Sequence, residues 1–298
     1  MLRYLRYLYY RALFPRSRDF LNMGMGIEAR AERCAQTWLP HLRSSKDFQM
    51  RALSQLGHGS VASVLGAGRL LDIDADLLVA KFLETRLYDA DPSSRRVALG
   101  KFPRGYAVNF TLTEISGVLD RWTQALDLFL RGEAFDLDKL AAFLRELRLG
   151  DAPILLAGST HVFSVNLLSQ IPIYWRDRAQ ALIEQRWGVV ANEQGELTEP
   201  LQAALLASMA RLQSGHLRLL NESGAHGLIL IFDTDIEYYK NLEILLRQRL
   251  LLVSPESELK NFTPLYRDNW TWEVSPQGIE QSEYGVRHLV QALHLGKL

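Results

Sequence analysis

A short apolar run that ends in a glycine turn constrains the fold of this chain more than any other feature. Residues 61–65, VASVL, are small, apolar or β-branched, which is typical of a strand buried on both faces of a parallel sheet. The run ends at Gly66-Ala67-Gly68, where glycine permits a positive φ and a close approach of the backbone to a ligand. A helix that begins after the turn would direct free N–H groups at the same ligand. The pattern predicts a ligand-binding turn at the carboxyl end of a strand.

Further apolar or alternating runs predict additional strands, with helical periods between them. The predicted strands are 84–88, 107–115, one within 154–165, and 227–232, with shorter candidates at 250–253 and 271–274. The predicted helices are 70–82, 118–131 and 137–149, and the polar stretch 190–200 predicts a surface loop. Strands that alternate with helices predict an α/β, Rossmann-like fold with helices on both faces of a mostly parallel sheet. Ligands bind such sheets at the carboxyl ends of the strands, so the residues that follow each strand are the candidate site.

Residues 1–53 are predicted to form a helical segment that precedes a larger domain over 54–298. A first helix ends before Pro15, and Pro40 predicts a break or kink farther along. The apolar face of the first helix carries Leu2, Leu5, Tyr9, Ala12 and Leu13, while arginines and tyrosines occupy the other face. Two interpretations stay open. The helix packs on the main domain or on a second copy of the chain, or residues 1–18 contact an anionic membrane surface.

Charge and cysteine content narrow the class of protein. The 34 basic residues balance the 34 acidic ones, which speaks against a general nucleic-acid binder. Cys34 is the only cysteine, so an intramolecular disulfide and a cysteine-rich metal site are both excluded. These features fit the cytoplasm, and no apolar run reaches the roughly 18 residues of a membrane span. The sequence predicts no metal site.

The spacing of an acidic residue indicates the kind of ligand. Asp89 closes the second predicted strand 21 residues after Gly68, close to the distance at which a carboxylate meets ribose hydroxyl groups. The alternative is that Asp89 and Asp91 only cap a turn before a proline. A dinucleotide fingerprint requires a third glycine where this chain has Leu71, so the turn favours an adenosyl ligand such as S-adenosylmethionine. The residues expected to bind it are Leu65, Gly66, Ala67, Gly68, Asp89 and Ala90.

Three stretches resemble class I S-adenosylmethionine-dependent methyltransferases. They are GAGRLLD at 66–72, LYDADP at 87–92 and SVNLLSQIP at 164–172, within a similarity that spans residues 24–276. The resemblance implies seven strands with the last one antiparallel, the methionine part of the cofactor near Gly66 and Gly68, and its ribose at Asp89. It also implies that Asn166 and Leu167, which follow the fourth strand, bind the cofactor beside its transferring methyl group. Val64 stands where the family usually has an acid that holds the methionine amino group.

Polar residues after the later strands are candidates for catalysis. Asn166 either orients a substrate or caps the next helix. Asp233 and Asp235 follow the fifth predicted strand, where they either activate the methyl acceptor as a base or cap a helix. Glu237, His58 and His161 are further candidate bases. Aromatic residues nearby either line an acceptor pocket or form core, namely Tyr238, Tyr239, Tyr266, Trp270 and Trp272.

The expected function is methyl transfer from S-adenosylmethionine to a small-molecule or lipid-like acceptor. Val64 leaves open a catalytically inactive protein that binds an adenosyl ligand or acts as a scaffold. A nicotinamide-dependent oxidoreductase is a third possibility, which Leu71 disfavours.

Overall fold

The computed structural model describes residues 2–150, 156–188 and 198–298. Helices α1 (Leu2–Leu13), α2 (Arg18–Arg33) and α3 (Ala35–Ala52) come first, with a 3₁₀ turn at Pro15–Ser17. The strands are β1 (Gly59–Leu65), β2 (Phe82–Asp89), β3 (Ala107–Leu112), β4 (His161–Val165), β5 (Gly227–Lys240), β6 (Glu243–Arg249), β7 (Phe262–Ser275) and β8 (Gly285–Lys297). The remaining helices are α4 (Ala75–Lys81), α5 (Ser94–Leu99), α6 (Leu119–Gly132), α7 (Leu137–Glu146), α8 (Leu167–Trp187), α9 (Glu199–Asn221) and α10 (Pro255–Glu258).

The strands form one sheet in the order β3-β2-β1-β4-β5-β8-β7, and β6 pairs with the far part of β5. Strands β1 to β5 are parallel, whereas β8 runs antiparallel to both of its neighbours. Val64 and Leu65 are fully buried in different hydrophobic clusters, so β1 is covered on both faces, as its composition predicts. The predicted Rossmann-like α/β fold with a mostly parallel sheet is confirmed.

The sheet differs from the prediction at its antiparallel end. The resemblance implied seven strands, but the described residues form eight, and the sequence pattern predicted neither β6 nor β8. Strand β5 continues past Phe232 to Lys240, since β8 and β6 pair with it along this extension. The helix expected near Asp233 and Asp235 therefore does not form. The predicted strand at 250–253 was wrong, because the Gln213 side chain accepts the backbone N–H groups of Leu252 and Val253 in place of a neighbouring strand.

The helix predicted over 70–82 begins later than expected. Leu70 has a φ of 50°, which interrupts helical geometry, and α4 begins only at Ala75. Asp74 caps it by accepting a 3.1 Å hydrogen bond from the Leu77 backbone N–H. The glycine turn is therefore followed by an irregular loop rather than by a helix N-terminus.

Helix α3 packs against the sheet, chiefly on β7. The sequence predicted a break or kink at Pro40, but the break between α2 and α3 lies at Cys34. Helix α3 continues through Pro40, which is exposed in its second turn, where water can satisfy the carbonyl that proline leaves unpaired. Trp38 of α3 donates a 2.8 Å hydrogen bond to the Val274 carbonyl of β7. The domain boundary after residue 53 stays a prediction, although α3 shares a hydrophobic cluster with β1.

Helix α1 turns inward the face that carries arginines and tyrosines. Arg6, Tyr7 and Tyr10 are partly buried, whereas Tyr9 and Leu13 of the predicted apolar face are 61% and 54% exposed. No described helix is long and apolar enough to cross a bilayer. Most of the surface loop predicted at 190–200 lies outside the described residues.

Candidate cofactor cleft and polar cluster

The glycine turn after β1 has the backbone geometry that its sequence predicts. Gly66 and Gly68 have φ values of 64° and 50°. The Ala67 N–H donates to the Tyr88 carbonyl at 3.0 Å, which ties the turn to the end of β2. A Cβ on Gly66 would come within 2.6 Å of the Leu167 side chain, whereas a Cβ on Gly68 would meet only the Gly66 carbonyl oxygen, at 3.9 Å. Gly66 therefore permits tight packing, and Gly68 leaves open space above the turn.

Asp89 joins the two loops at this edge of the sheet. Its Oδ2 accepts a 2.6 Å hydrogen bond from the Gly68 N–H, and its Oδ1 accepts a 2.7 Å bond from the Asp91 N–H. Burial raises the pKa of Asp89 to about 6, against the opposing effect of these hydrogen bonds. The carboxylate thus braces the turn, yet its remaining lone pairs can accept further hydrogen bonds.

A mostly apolar cleft opens beside the turn. Five of the predicted binding residues line it, namely Gly66, Gly68, Asp89, Ala90 and Leu167. Leu65 and Ala67 instead are buried and do not line it. The sequence did not predict the other lining residues, which come largely from α2, α8 and the loop after β3, and include Phe20, Met23, Gly24, Ile27, Arg69, Leu71, Glu114, Ile115, Leu119, Gln170, Ile171 and Tyr174.

Helix α2 covers the cleft and is held there by a glycine and by ion pairs. A Cβ on Gly24 would lie 1.9 Å from Asp91 Oδ2, so only glycine allows this approach. Glu28 accepts hydrogen bonds from Arg6 of α1 and, at 2.6 Å, from Nη1 of Arg69 in the turn. The Nε and Nη2 atoms of Arg69 are buried without a hydrogen-bond partner among the described residues. The cleft therefore contains a guanidinium group that is only partly satisfied.

Asn166 follows β4 in a left-handed conformation, with a φ of 62°. Its side chain does not cap α8 but donates a 2.7 Å hydrogen bond to Asp72 Oδ2. Its Oδ1 is buried and has no partner among the described residues. Burial raises the pKa of Asp72, and the Asn166 hydrogen bond opposes that effect. The capping role left open by the sequence is thus absent, and the amide joins the loops after β1 and β4.

Asp233 is buried where β5 passes the carboxyl end of β4. Its Oδ2 accepts a 2.9 Å hydrogen bond from the Ser169 hydroxyl and lies 3.1 Å from Nδ1 of His288 on β8. Burial alone would raise the pKa of Asp233, but His288 and Ser169 hold it below its usual value. Oδ1 has no partner among the described residues. Asp233 is therefore a buried carboxylate with one free oxygen.

His41 and two tryptophans complete this group. The Trp270 indole N–H donates a 3.0 Å hydrogen bond to His41 Nδ1, and the imidazole stacks on Trp272 with ring centroids 4.0 Å apart. Burial lowers the pKa of His41 to about 4, so the ring is neutral at pH 7. Trp272 also contacts His288 edge-on. The polar cluster is defined as Asp72, Asn166, Ser169, Asp233, His288 and His41, of which the sequence predicted Asn166 and Asp233 as catalytic candidates.

The remaining sequence candidates lie elsewhere. Asp235 forms an ion pair with Arg247 of β6 at 3.2 Å, and Glu237 accepts a 2.7 Å hydrogen bond from Arg287. His161 begins β4, at the opposite end of that strand from Asn166, and burial lowers its pKa to about 4. His58 is exposed just before β1. The described residues contain no group of three or more His, Cys, Asp or Glu that could hold a metal ion.

Comparison with known proteins finds similarity in solved structures alone. No family model matches the chain, and no curated relative matches its sequence. The N-methyltransferase NodS from Bradyrhizobium japonicum, solved with S-adenosyl-L-homocysteine, is 8% identical over 86% of both chains, with a TM-score of 0.39.

Two further methyltransferases match in the same way. An S-adenosylmethionine-dependent methyltransferase from Anabaena variabilis is 10% identical over 90% of this chain and 95% of its own, with a TM-score of 0.39. The 1,6-didemethyltoxoflavin-N1-methyltransferase of Burkholderia thailandensis is 12% identical over 92% and 87%, with the same TM-score of 0.39. All three matched structures are named as methyltransferases. At these identities and TM-scores they assign no activity, cofactor or substrate to this chain.

Proposed function

We propose that the cleft binds S-adenosylmethionine and that the chain transfers its methyl group to a small-molecule or lipid-like acceptor. One observation carries the proposal. Two positive-φ glycines after β1 meet the Asp89 carboxylate after β2 at the rim of a mostly apolar cleft. An adenosyl ligand requires a close backbone approach, a carboxylate for its ribose hydroxyl groups and apolar surface around its base.

The residues of the cleft fit such a ligand. Space above Gly68 allows the close approach, because a Cβ there would project into it. The free lone pairs of Asp89 suit ribose hydroxyl groups, and the unpartnered nitrogens of Arg69 suit the carboxylate of the methionine part. Val64 is buried in the core and offers nothing to the methionine amino group, so Arg69 and the turn would orient this end of the ligand.

The bound cofactor supplies a reactive methyl group, so the chain needs to align the acceptor, exclude water and take up a proton. Helix α2 closes one side of the cleft with Phe20, Met23 and Ile27, which keeps water from that side. The polar cluster adjoins the other side, since Leu71 and Leu167 line the cleft and their chain neighbours Asp72 and Asn166 belong to the cluster.

The exposed face of α1 supports a lipid-like acceptor at a membrane surface. Tyr9 and Leu13 are exposed beside the basic Arg11, a combination that suits the interface of an anionic bilayer. Co-sedimentation with phosphatidylserine-containing vesicles would compare the full chain with one lacking residues 1–18. Equal partitioning would remove the membrane proposal and favour a soluble acceptor. If the full chain dimerises in solution and the shortened chain does not, residues 1–18 contact a second copy of the protein instead.

Calorimetric titration with S-adenosylmethionine, S-adenosylhomocysteine and NAD tests the proposed cofactor. We expect both sulfur ligands to bind and NAD not to bind, because Leu71 replaces the glycine that a pyrophosphate turn requires. Binding of NAD alone would favour an oxidoreductase. Binding of the sulfur ligands without methyl transfer to any tested acceptor would favour the inactive alternative that Val64 leaves open.

A further inference from the structure

Arg69 directly follows the glycine turn and lines the cofactor cleft, and 11% of its side chain is exposed. Its Nη1 donates a 2.6 Å hydrogen bond to Glu28 of α2, whereas Nε and Nη2 are buried without a partner in the described part of the chain. Among the described residues that line the cleft, no other side chain has a buried polar atom left unpaired. Buried donors in folded proteins are nearly always satisfied, so this pair is expected to meet a ligand in the cleft.

The two unpaired nitrogens form one edge of the guanidinium group. Their N–H groups can donate two parallel hydrogen bonds to a single carboxylate or phosphate. Glu28 binds the third nitrogen, Nη1, so the free edge is held in one orientation. An edge that is oriented in advance loses less side-chain entropy when an anion binds to it. Arg69 is therefore prepared to bind a group with two negatively charged oxygens.

The charges around Arg69 favour a ligand group that carries both signs. Glu28 accepts hydrogen bonds from Arg6 as well as from Arg69, and the carboxylate of Asp91 also lines the cleft. Burial raises the pKa of Asp91, and Ser93, Arg69 and Arg6 oppose that effect. An amino-acid group presents a carboxylate to the arginine and an ammonium group to the acids. A phosphate has no positive charge to place beside these acids, so the surroundings favour a carboxylate within a zwitterion.

We infer that Arg69 makes the cleft select ligands with a free α-carboxylate, which it binds through its Nε–Nη2 edge. The inference rests on the proposed function and deepens it, because S-adenosylmethionine and S-adenosylhomocysteine both carry this carboxylate. Val64 is buried in the core and presents no charge to the methionine part of the ligand. Arg69 would compensate for Val64, since it holds the same part of the ligand by its other charged group.

The same arginine connects the ligand to the helix that covers the cleft. Glu28 belongs to α2, which also contributes Phe20, Met23 and Ile27 to the lining. A carboxylate bound to Arg69 therefore shares its guanidinium group with an ion pair that holds α2 in place. A ligand without the carboxylate leaves two buried donors unpaired, and a site of this kind discriminates strongly against such a ligand.

The decarboxylated form of S-adenosylhomocysteine tests the inference, because it lacks only the carboxylate. Calorimetry would give the affinities of both ligands for the wild type, Arg69→Met and Arg178→Met. Arg178 is the matched control, since it also forms an ion pair with α2, with Nε 3.5 Å from Asp19, but does not line the cleft. Each substitution removes one positive charge and one ion pair to α2.

We expect the wild type to prefer S-adenosylhomocysteine roughly tenfold or more, the scale of a hydrogen bond to a charged group. Arg69→Met should lose this preference, and Arg178→Met should retain it. Equal affinities of the wild type for the two ligands, a preference that Arg69→Met retains, or its loss in Arg178→Met would overturn the inference. Failure of the wild type to bind either ligand would instead overturn the proposed function.

Arg69→Lys separates the shape of the guanidinium group from its charge. Lysine keeps the positive charge and can pair with Glu28, but it lacks the two-donor edge. Arg69→Lys should therefore also lose the preference, and it decides the point should Arg69→Met fail to fold. Adenosine 5′-monophosphate serves as the phosphate probe and should bind the wild type more weakly than S-adenosylhomocysteine. The wild-type preference in Arg69→Lys, or tighter binding of the monophosphate, would contradict the inference.

Discussion

The backbone N–H of Gly68 donates a 2.6 Å hydrogen bond to the carboxylate of Asp89, which joins the turn after β1 to the end of β2. The same carboxylate accepts the N–H of Asp91, so one side chain sets the conformation of both loops at this edge of the sheet. The bond makes Asp89 a structural brace as well as a candidate ligand for a ribose. Because both roles use the ionised carboxylate, the protonation of Asp89 should govern ligand binding.

Binding of S-adenosylhomocysteine should weaken as the pH falls through the pKa of Asp89. Burial raises that pKa to about 6, so at pH 5 only about a tenth of the carboxylate is ionised, and the affinity should fall roughly tenfold from its value at pH 7.5. Calorimetry at the two pH values measures the change. Asp89→Asn should bind weakly at both, and an affinity of the wild type that is equal at pH 5 and pH 7.5 would rule out the ribose contact.

Two glycines of α2 should respond in opposite ways to alanine. Gly24→Ala places a Cβ 1.9 Å from Asp91 Oδ2, an oxygen that the Ser93 hydroxyl also holds, so the variant should lower the free energy of unfolding. Gly26→Ala meets nothing within 4 Å and should raise it by about 0.5–1 kcal/mol, the helix preference of alanine over glycine.

Urea denaturation measures both free energies, and titration with S-adenosylhomocysteine measures the effect on the cleft. Gly24→Ala should also lower the affinity for S-adenosylhomocysteine, because α2 lines the cleft. Equal stability of the two variants would mean that α2 does not rest on Asp91 as described.

A buried histidine should make the fold sensitive to mild acid. His216 of α9 shares a 2.7 Å hydrogen bond with the Ser164 hydroxyl, and burial lowers its pKa to about 4 from an ordinary 6.5. Between pH 6.5 and pH 4 the unfolded chain binds a proton at His216 that the folded chain does not. The stability is therefore full above pH 6.5 and declines as the pH falls towards 4, by about 3 kcal/mol at most for this group.

The variant His216→Gln should lose this share of the acid sensitivity, which denaturation curves at pH 7 and pH 4.5 would reveal. His58→Gln is the control, because His58 is exposed. If the free energy of unfolding changes between pH 7 and pH 4.5 by the same amount in His216→Gln as in the wild type, His216 is not buried as a neutral ring.

The sequence predicts the glycine turn and Asp89 because their signals are local. An apolar run, two glycines and an acid at ribose spacing all belong to one strand-helix-strand unit, and the structure has the turn in the expected conformation. By contrast, the polar cluster depends on residues distant in the chain, such as His41 and Trp270, which are 229 positions apart. The local sequence around either residue does not predict its contact with the other.

Strand β5 shows a second limit of sequence patterns. Asp233, Asp235 and Glu237 look like the polar end of a strand, yet the strand continues because β8 and β6 pair with it. Tertiary pairing overrides the local preference of acids for loops. The same pairing brings His288 to 3.1 Å from Asp233, a contact that the predicted strand boundary concealed.

The most direct test of the account is the affinity of S-adenosylhomocysteine for Gly68→Ala compared with Gly105→Ala. Both glycines have a positive φ, 50° and 88°, and an added Cβ meets no close neighbour at either, so both substitutions strain the backbone and neither adds a steric contact. Only Gly68 lines the cleft. We predict one binding site in the wild type, a roughly tenfold or greater loss in Gly68→Ala, which corresponds to about 1.4 kcal/mol or more, and no loss in Gly105→Ala. A folded wild type that does not bind S-adenosylhomocysteine, or a Gly68→Ala protein that binds it as tightly as Gly105→Ala does, would contradict the account.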